Sequence, residues 1–204
     1  MKPYFLIALC FLALVSPTGA ADEKAPESGA AEKAPGFPSD SLYQLESSWL
    51  TQDGKEIRLG SLAGSPVVIA LVYTSCKASC PLILGDFRKI HKNLSENASR
   101  ISFVLVSMDP DRDTPGRLKE FEKGQKFPAP GRWVLLNGKE ESVRELAAAL
   151  NVSYRKTGKE FAHSNVITVL DPTGKIAHQQ PQPGSSVQKT IETIQGLLGG
   201  EGKP

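Results

Sequence analysis

The apolar run Val67-Val68-Ile69-Ala70-Leu71-Val72 leads straight into Tyr73-Thr74-Ser75-Cys76-Lys77-Ala78-Ser79-Cys80-Pro81. Uninterrupted apolar residues suit a strand buried on both faces, and a proline just after the second cysteine suits the first turn of a helix. The two thiols therefore fall where a buried strand ends and a helix begins. Unpaired backbone N–H groups and the positive end of the helix dipole favour thiolate over thiol there, so both sulfurs become better nucleophiles and better ligands for soft metals.

The start of the chain indicates which compartment those thiols face. Met1-Lys2 is a short basic region, Tyr4 to Val15 is apolar, and Thr18-Gly19-Ala20-Ala21 offers small residues for cleavage, the pattern of a secretory signal peptide over residues 1–20. The apolar run falls short of the ~20 residues that cross a bilayer, and Ser16-Pro17 ends it; an uncleaved anchor is the alternative. Cys10 sits inside the apolar region and leaves with the signal, so Cys76 and Cys80 are the cysteines of the mature protein. The expected location is exported, the bacterial periplasm, with contact to a membrane only through a client protein or an uncleaved signal. So close a pair closes too small a loop to act as a general staple, which favours a functional role.

A net charge of +2 and a hydrophobic fraction of 40% describe a globular protein without the basic excess of a nucleic-acid binder. Residues 21–40 are rich in Ala, Pro, Gly, Glu and Lys and are expected to form a flexible linker. Residues 41–198 suit one domain, and 199–204 a disordered tail.

Within the domain, Leu42–Leu50 and Glu56–Leu59 flank an Asp53-Gly54 turn and predict an N-terminal β-hairpin. Strands are expected at Val67–Tyr73, Ile101–Val106, Trp133–Leu136, Val152–Lys156, Asn165–Leu170 and Ile176–Gln179. Helices are expected at Pro81–Asn97, Pro115–Gln125, Glu140–Leu150, with Asn151 as a cap, and Val187–Leu198. Strands alternating with helices and closed by a hairpin and a last helix give an α/β fold, a central mixed sheet with helices on both faces. With paired cysteines after the first core strand, the layout is thioredoxin-like.

Cysteines at i and i+4 on one helical turn would lie roughly 6 Å apart at Cα, able to close a disulfide or to clasp one ion. A third ligand of intermediate softness would make a three-coordinate site suited to copper. His163 is the candidate, at the end of a loop before a core strand. His91, among Arg88, Lys89, Lys92 and Asn93, reads as a residue of a solvated helix face, and His178 as an edge-strand surface residue. Asp109-Pro110-Asp111-Arg112-Asp113 imitates a calcium loop, but its sixth position is Thr114 where an EF-hand needs glycine. It is better read as a loop on the sheet edge that carries the cysteines. In that loop Asp113 or Thr114 caps the next helix, and Asp109 is placed to reach the metal site as a second-layer or proton acceptor.

These anchors, Tyr73-Thr74-x-Cys76-x-x-x-Cys80-Pro81, Met108-Asp109-Pro110-x-Arg112-Asp113-Thr114-Pro115, Arg132-Trp133, His163-Ser164 and Leu170-Asp171-Pro172-x-Gly174, resemble in type and order the Sco/SenC family of copper-assembly proteins. The resemblance implies an exported or membrane-associated thioredoxin-fold protein holding Cu(I) or Cu(II) through Cys76, Cys80 and His163. It further implies delivery of copper to cytochrome c oxidase, or reduction of that centre's thiols, with a copper-accepting oxidase subunit and a thiol reductant as partners. Lys77 and Ala162 stand where the family usually has proline and aspartate, which alters the surface a client meets. The alternative is a thiol–disulfide oxidoreductase using Cys76 and Cys80 as its redox pair. A thiol peroxidase is disfavoured because Pro66 is too far from Cys76 for the peroxiredoxin motif.

Overall fold

The computed structural model describes residues 36–157 and 160–200; the expected signal segment, Cys10, most of the expected linker and residues 201–204 lie outside these. Its centre is set by β3 (Val67–Val72) and β4 (Ser102–Ser107), in which every residue is buried. Successive side chains point to opposite faces, so burial at every position requires cover on both sides of the sheet. β3 and β4 pair in parallel, from Val67 opposite Ser102 to Val72 opposite Ser107.

β5 (Arg132–Gly138) extends the sheet in parallel beyond β4, and β8 (Ile167–Leu170) lies antiparallel to β3 on the other side. The hairpin of β1 (Ser48–Thr51) and β2 (Glu56–Arg58) joins through β1 to β5, and β9 (Ile176–Gln180) closes the far edge, giving the order β2-β1-β5-β4-β3-β8-β9. The Asp53-Gly54 turn forms as expected, with Gly54 at φ 75°.

α1 (Cys80–Leu94) buries Ile83, Leu84, Phe87, Ile90 and Leu94, a helical stripe that packs against β3 and α4 (Gln188–Gly200). α2 (Pro115–Gln125) starts on Thr114, whose hydroxyl accepts from the Arg117 N–H, and its Gln125 carbonyl accepts from Arg88 of α1 at 2.8 Å. α3 (Glu140–Ala149) buries Val143, Leu146 and Ala147 and ends before Asn151 at φ 54°, the left-handed stop expected there. The arrangement is the thioredoxin-like one, with its N-terminal hairpin.

Several elements differ from the sequence reading. Only Ser48–Thr51 of the first expected strand is extended, and Leu42–Gln44 is a 3-10 turn. The end of the expected linker is ordered, because Phe37 packs its ring 5.3 Å from that of Tyr43. α4 continues through Gly200, two residues past the expected end. His91 is not on a solvated face: it is 6% exposed, packed against the stacked rings of Phe103 and Trp133, and bonded through Nε2 to the Pro130 carbonyl. Its charged neighbours in sequence point outward while the helix turns it onto the aromatic cluster.

A small second sheet departs from expectation in one of its strands, since a strand was expected over Val152–Lys156 but none at the residues leading to His163. β6 (Tyr154–Thr157) pairs antiparallel with β7 (Glu160–His163), with Tyr154 opposite His163. His163 was expected at the end of a loop and instead ends a strand. The element is hard to read because its apolar anchors among the described residues are Tyr154 and Phe161, with rings 6.2 Å apart, and the rest of β6 is exposed.

Candidate functional site

The site lies at the carboxyl end of β3, where the chain leaves the sheet at Tyr73 and re-enters regular structure at Cys80. The cysteines do not share a helical turn as the spacing suggested. Cys80 is the first residue of α1, whereas Cys76 sits in the preceding turn, its N–H donating to the Tyr73 carbonyl at 3.2 Å. Pro81 supplies the reason. Extending the helix back to Cys76 would drive the proline ring into the carbonyl of Lys77, four residues earlier.

The turn is nailed to the sheet by a buried carboxylate. Asp113, 1% exposed, accepts from the Thr74 N–H at 2.9 Å, the Thr74 hydroxyl at 2.5 Å and the Ser107 hydroxyl at 2.6 Å. Arg117 adds a bond from Nε to the Thr74 hydroxyl at 3.4 Å, and Asn137 holds the Asp113 carbonyl at 3.0 Å. The sequence offered Asp113 only as a possible helix cap. What it does is fix the backbone from which Cys76 hangs, and Thr114 is the cap.

The two thiols are unequal. Burial pushes the Cys76 thiol up, but bonds from the Cys80 thiol, the Cys80 and Ala78 N–H groups and the Tyr73 hydroxyl outweigh it and bring Cys76 down to about 7. The Cys80 N–H lies 3.4 Å from the Cys76 sulfur, so the helix N-terminus acts on Cys76 through a specific donor. Cys80 is 2% exposed, and burial together with the bond it makes to Cys76 holds its thiol well above the usual range. Near neutrality Cys76 is divided between thiol and thiolate, while Cys80 remains a buried thiol. A cavity of about 190 Å³ opens beside them, lined by Thr74, Pro81, Leu84, Arg88 and Phe121.

His163 reaches this edge on β7. The hairpin leans on Tyr73, whose ring lies 5.1 Å from Phe161 and 6.2 Å, edge to face, from His163. Burial lowers the His163 pKa below its ordinary value, opposed by its bond to Ser164, so the imidazole is neutral at physiological pH. Nδ1 lies 3.2 Å from the Ser164 carbonyl. A carbonyl only accepts, so Nδ1 carries the proton and Nε2 keeps its lone pair. Nε2 is 3.4 Å from the Ser79 hydroxyl, which is in turn 3.9 Å from the Cys76 sulfur.

The structure thus brings Cys76, Cys80 and His163 to one edge. Among the described residues no three His, Cys, Asp or Glu side chains close around a single point, so a shared ion would draw the hairpin and the cysteine turn together. Two sulfurs and an unprotonated imidazole nitrogen fit a soft to intermediate cation. Asp109 is engaged elsewhere: its carboxylate takes the Arg112 guanidinium, its N–H donates to Ser107 at 3.0 Å, and it lines a separate cavity with Tyr154 and Phe161 on the hairpin side. His178 lies partly exposed on edge strand β9, away from this group, as expected.

A family model described as SCO1/SenC matches residues 40–199. The SCO1 protein homolog of Bacillus subtilis is 26% identical over 140 residues, covering 66% of this chain and 72% of the relative. A SCO2-like protein of Rickettsia typhi is 27% identical over 133 residues, and the match covers 62% of this chain but only 64% of that relative. Among solved structures, Arabidopsis thaliana ScoI with copper bound aligns with a TM-score of 0.65 at 22% identity, over 76% of this chain and 96% of that one. The matched span takes in the sheet, the cysteine turn, the loop of Asp109 and Asp113 and the hairpin of His163, and on that breadth the chain belongs to the SCO1/SenC family.

Proposed function

We propose that the chain is an exported copper-binding assembly factor. It holds copper on Cys76, Cys80 and His163 and serves a respiratory copper site such as that of cytochrome c oxidase, by handing over the ion or by reducing the client's disulfide to the thiols that bind it. The carrying observation is the pairing of an acidified Cys76 and a buried Cys80 with a neutral His163 whose Nε2 is turned toward them. Relatives support the reading: Arabidopsis thaliana ScoI and yeast Sco1 are known with copper bound, and BsSco is described as a member of the Sco family of cytochrome c oxidase assembly proteins. Export is part of the proposal and is supported by the signal-like pattern of residues 1–20; an exported chain would carry its thiols in an oxidising compartment.

A second reading, thiol–disulfide exchange, is favoured by the inequality of the thiols. The Cys76 thiolate attacks a client disulfide, forming a mixed disulfide and expelling one client thiolate. Cys80 then gives up its proton and attacks the Cys76 sulfur, releasing the second client thiolate and leaving a Cys76–Cys80 disulfide. Two electrons pass to the client, and a thiol reductant restores the pair.

One preparation of His163→Ala separates the readings. Copper handling predicts Cu(II) affinity reduced by about tenfold or more, with Cu(I) less affected because two sulfurs alone can retain the softer ion. The exchange rate should stay near wild type. Unchanged affinity for both ions would remove His163 from the site and the copper reading with it.

A further inference from the structure

Ser79 precedes α1 at the position where serine usually caps a helix, yet its side chain makes no cap bond. Pro81 has no N–H to offer, and the Leu82 N–H, the one such a side chain would receive, goes to the Ser79 backbone carbonyl at 3.0 Å. Ser79 is itself helical, at φ −89° and ψ −32°, and this directs its hydroxyl away from the helix. The hydroxyl instead lies between the Cys76 sulfur and Nε2 of His163, at 3.9 and 3.4 Å.

The protons fix how this bridge works. Nε2 has a lone pair and no hydrogen, so the hydroxyl donates to it. A hydroxyl has one proton, and a Cys76 thiolate is a competing acceptor on the other side. Occupation of Nε2 by a cation ends the bond to His163 and leaves the proton free to turn to the sulfur. A hydrogen bond to a metal-bound thiolate withdraws electron density from it, and hydrogen bonding around such a sulfur tunes the preference between oxidation states.

We propose that the Ser79 hydroxyl is a positioning group of the copper site, bonded to Nε2 of His163 in the copper-free dithiol and to the Cys76 sulfur once copper takes that nitrogen, and that it biases the site toward Cu(I). Both contacts disfavour Cu(II): the first must be given up when imidazole binds, and the second weakens the thiolate donation that Cu(II) needs more. The copper part rests on the proposed function; the bridge does not.

The test compares Ser79→Ala and Ser79→Thr with wild type on the reduced full chain. In the copper-free protein the 15N resonance of His163 Nε2 should move in the alanine form and stay near wild type in the threonine form, which keeps a hydroxyl. Melting temperature should change little in either, because no cap is lost. With copper, the ratio of Cu(II) to Cu(I) affinity should rise about three- to tenfold in the alanine form, the effect of one modest hydrogen bond. The thiolate-to-Cu(II) absorption band should shift with it, and threonine should restore both. An unmoved 15N resonance overturns the bridge, and an unmoved ratio, or threonine behaving as alanine, overturns the bias. Wild-type protein that takes up no copper overturns the proposed function, while the nitrogen resonance still decides the bridge.

Discussion

The difference between the two cysteines is made by single contacts. Cys76 has its sulfur against the Cys80 N–H and beside the Tyr73 hydroxyl, and Cys80 is sealed under the first turn of α1. Alkylation of the reduced protein, followed by mass spectrometry across pH, should therefore show Cys76 reacting at a rate that rises through about pH 7 and levels above it, with Cys80 unreactive over that range. The linkage has a matching sign: a thiol whose pKa is lowered on folding stabilises the fold above its unfolded value, and loses that contribution as pH falls through about 7. Asp113 is the other decisive residue. Asp113→Ala would strand the Thr74 N–H and two hydroxyl groups in a buried place, and urea unfolding should register a loss of at least ~2 kcal/mol. Asp113→Asn, which keeps one acceptor oxygen, should lose less. Serine at the helix start and aspartate in a turn are both ordinary local choices, which is why neither Ser79 nor Asp113 announced its role in the sequence.

At the scale of elements, the cysteines and the histidine belong to parts with different support. The cysteine turn is anchored to β3, β4 and α2, while His163 rides on a four-residue strand outside the main sheet. Phe161→Ala removes the ring that leans on Tyr73 and should loosen the hairpin. Isothermal titration should show weaker Cu(II) binding, with Cu(I) binding near wild type, since the sulfurs are untouched. His91→Ala makes a contrast within α1. It opens a hole beside the stacked pair of Phe103 and Trp133 and frees the Pro130 carbonyl, so denaturant unfolding should reveal a cost of about 1–3 kcal/mol with copper affinity unchanged. The long elements were legible because their periodicity extends over many residues: α1, α2, α3, β3 and β4 lie close to the expected bounds. Of the β6–β7 hairpin, β6 overlaps the strand expected at Val152–Lys156, but β7 was read as loop, because a four-residue strand carries little pattern.

For the whole molecule, the sheet brings together three segments far apart in the chain: the turn after β3, the loop after β4 and the hairpin before β8. Oxidation should act on this assembly as a switch. Closing the Cys76–Cys80 disulfide consumes both thiolates, so elemental analysis should find about one copper per chain in reduced protein and almost none in oxidised protein, with the circular dichroism of the fold retained. Sequence alone determined the thioredoxin-like class, the central strands, the pair of cysteines at a strand-to-helix junction and the family signature, because these depend on apolar runs, proline and spacing within short stretches of chain. Tertiary structure decided the rest. It put Cys76 in a turn outside the helix, buried His91 among aromatic rings, gave the Asp109 carboxylate to Arg112, and set Asp113 beneath Thr74 and Ser79 between Cys76 and His163. The physical reason is common to all of them: hydrogen bonding, burial and thiol acidity depend on which atoms meet across the fold, and residues as distant as Ser79 and His163 meet only when the sheet has formed.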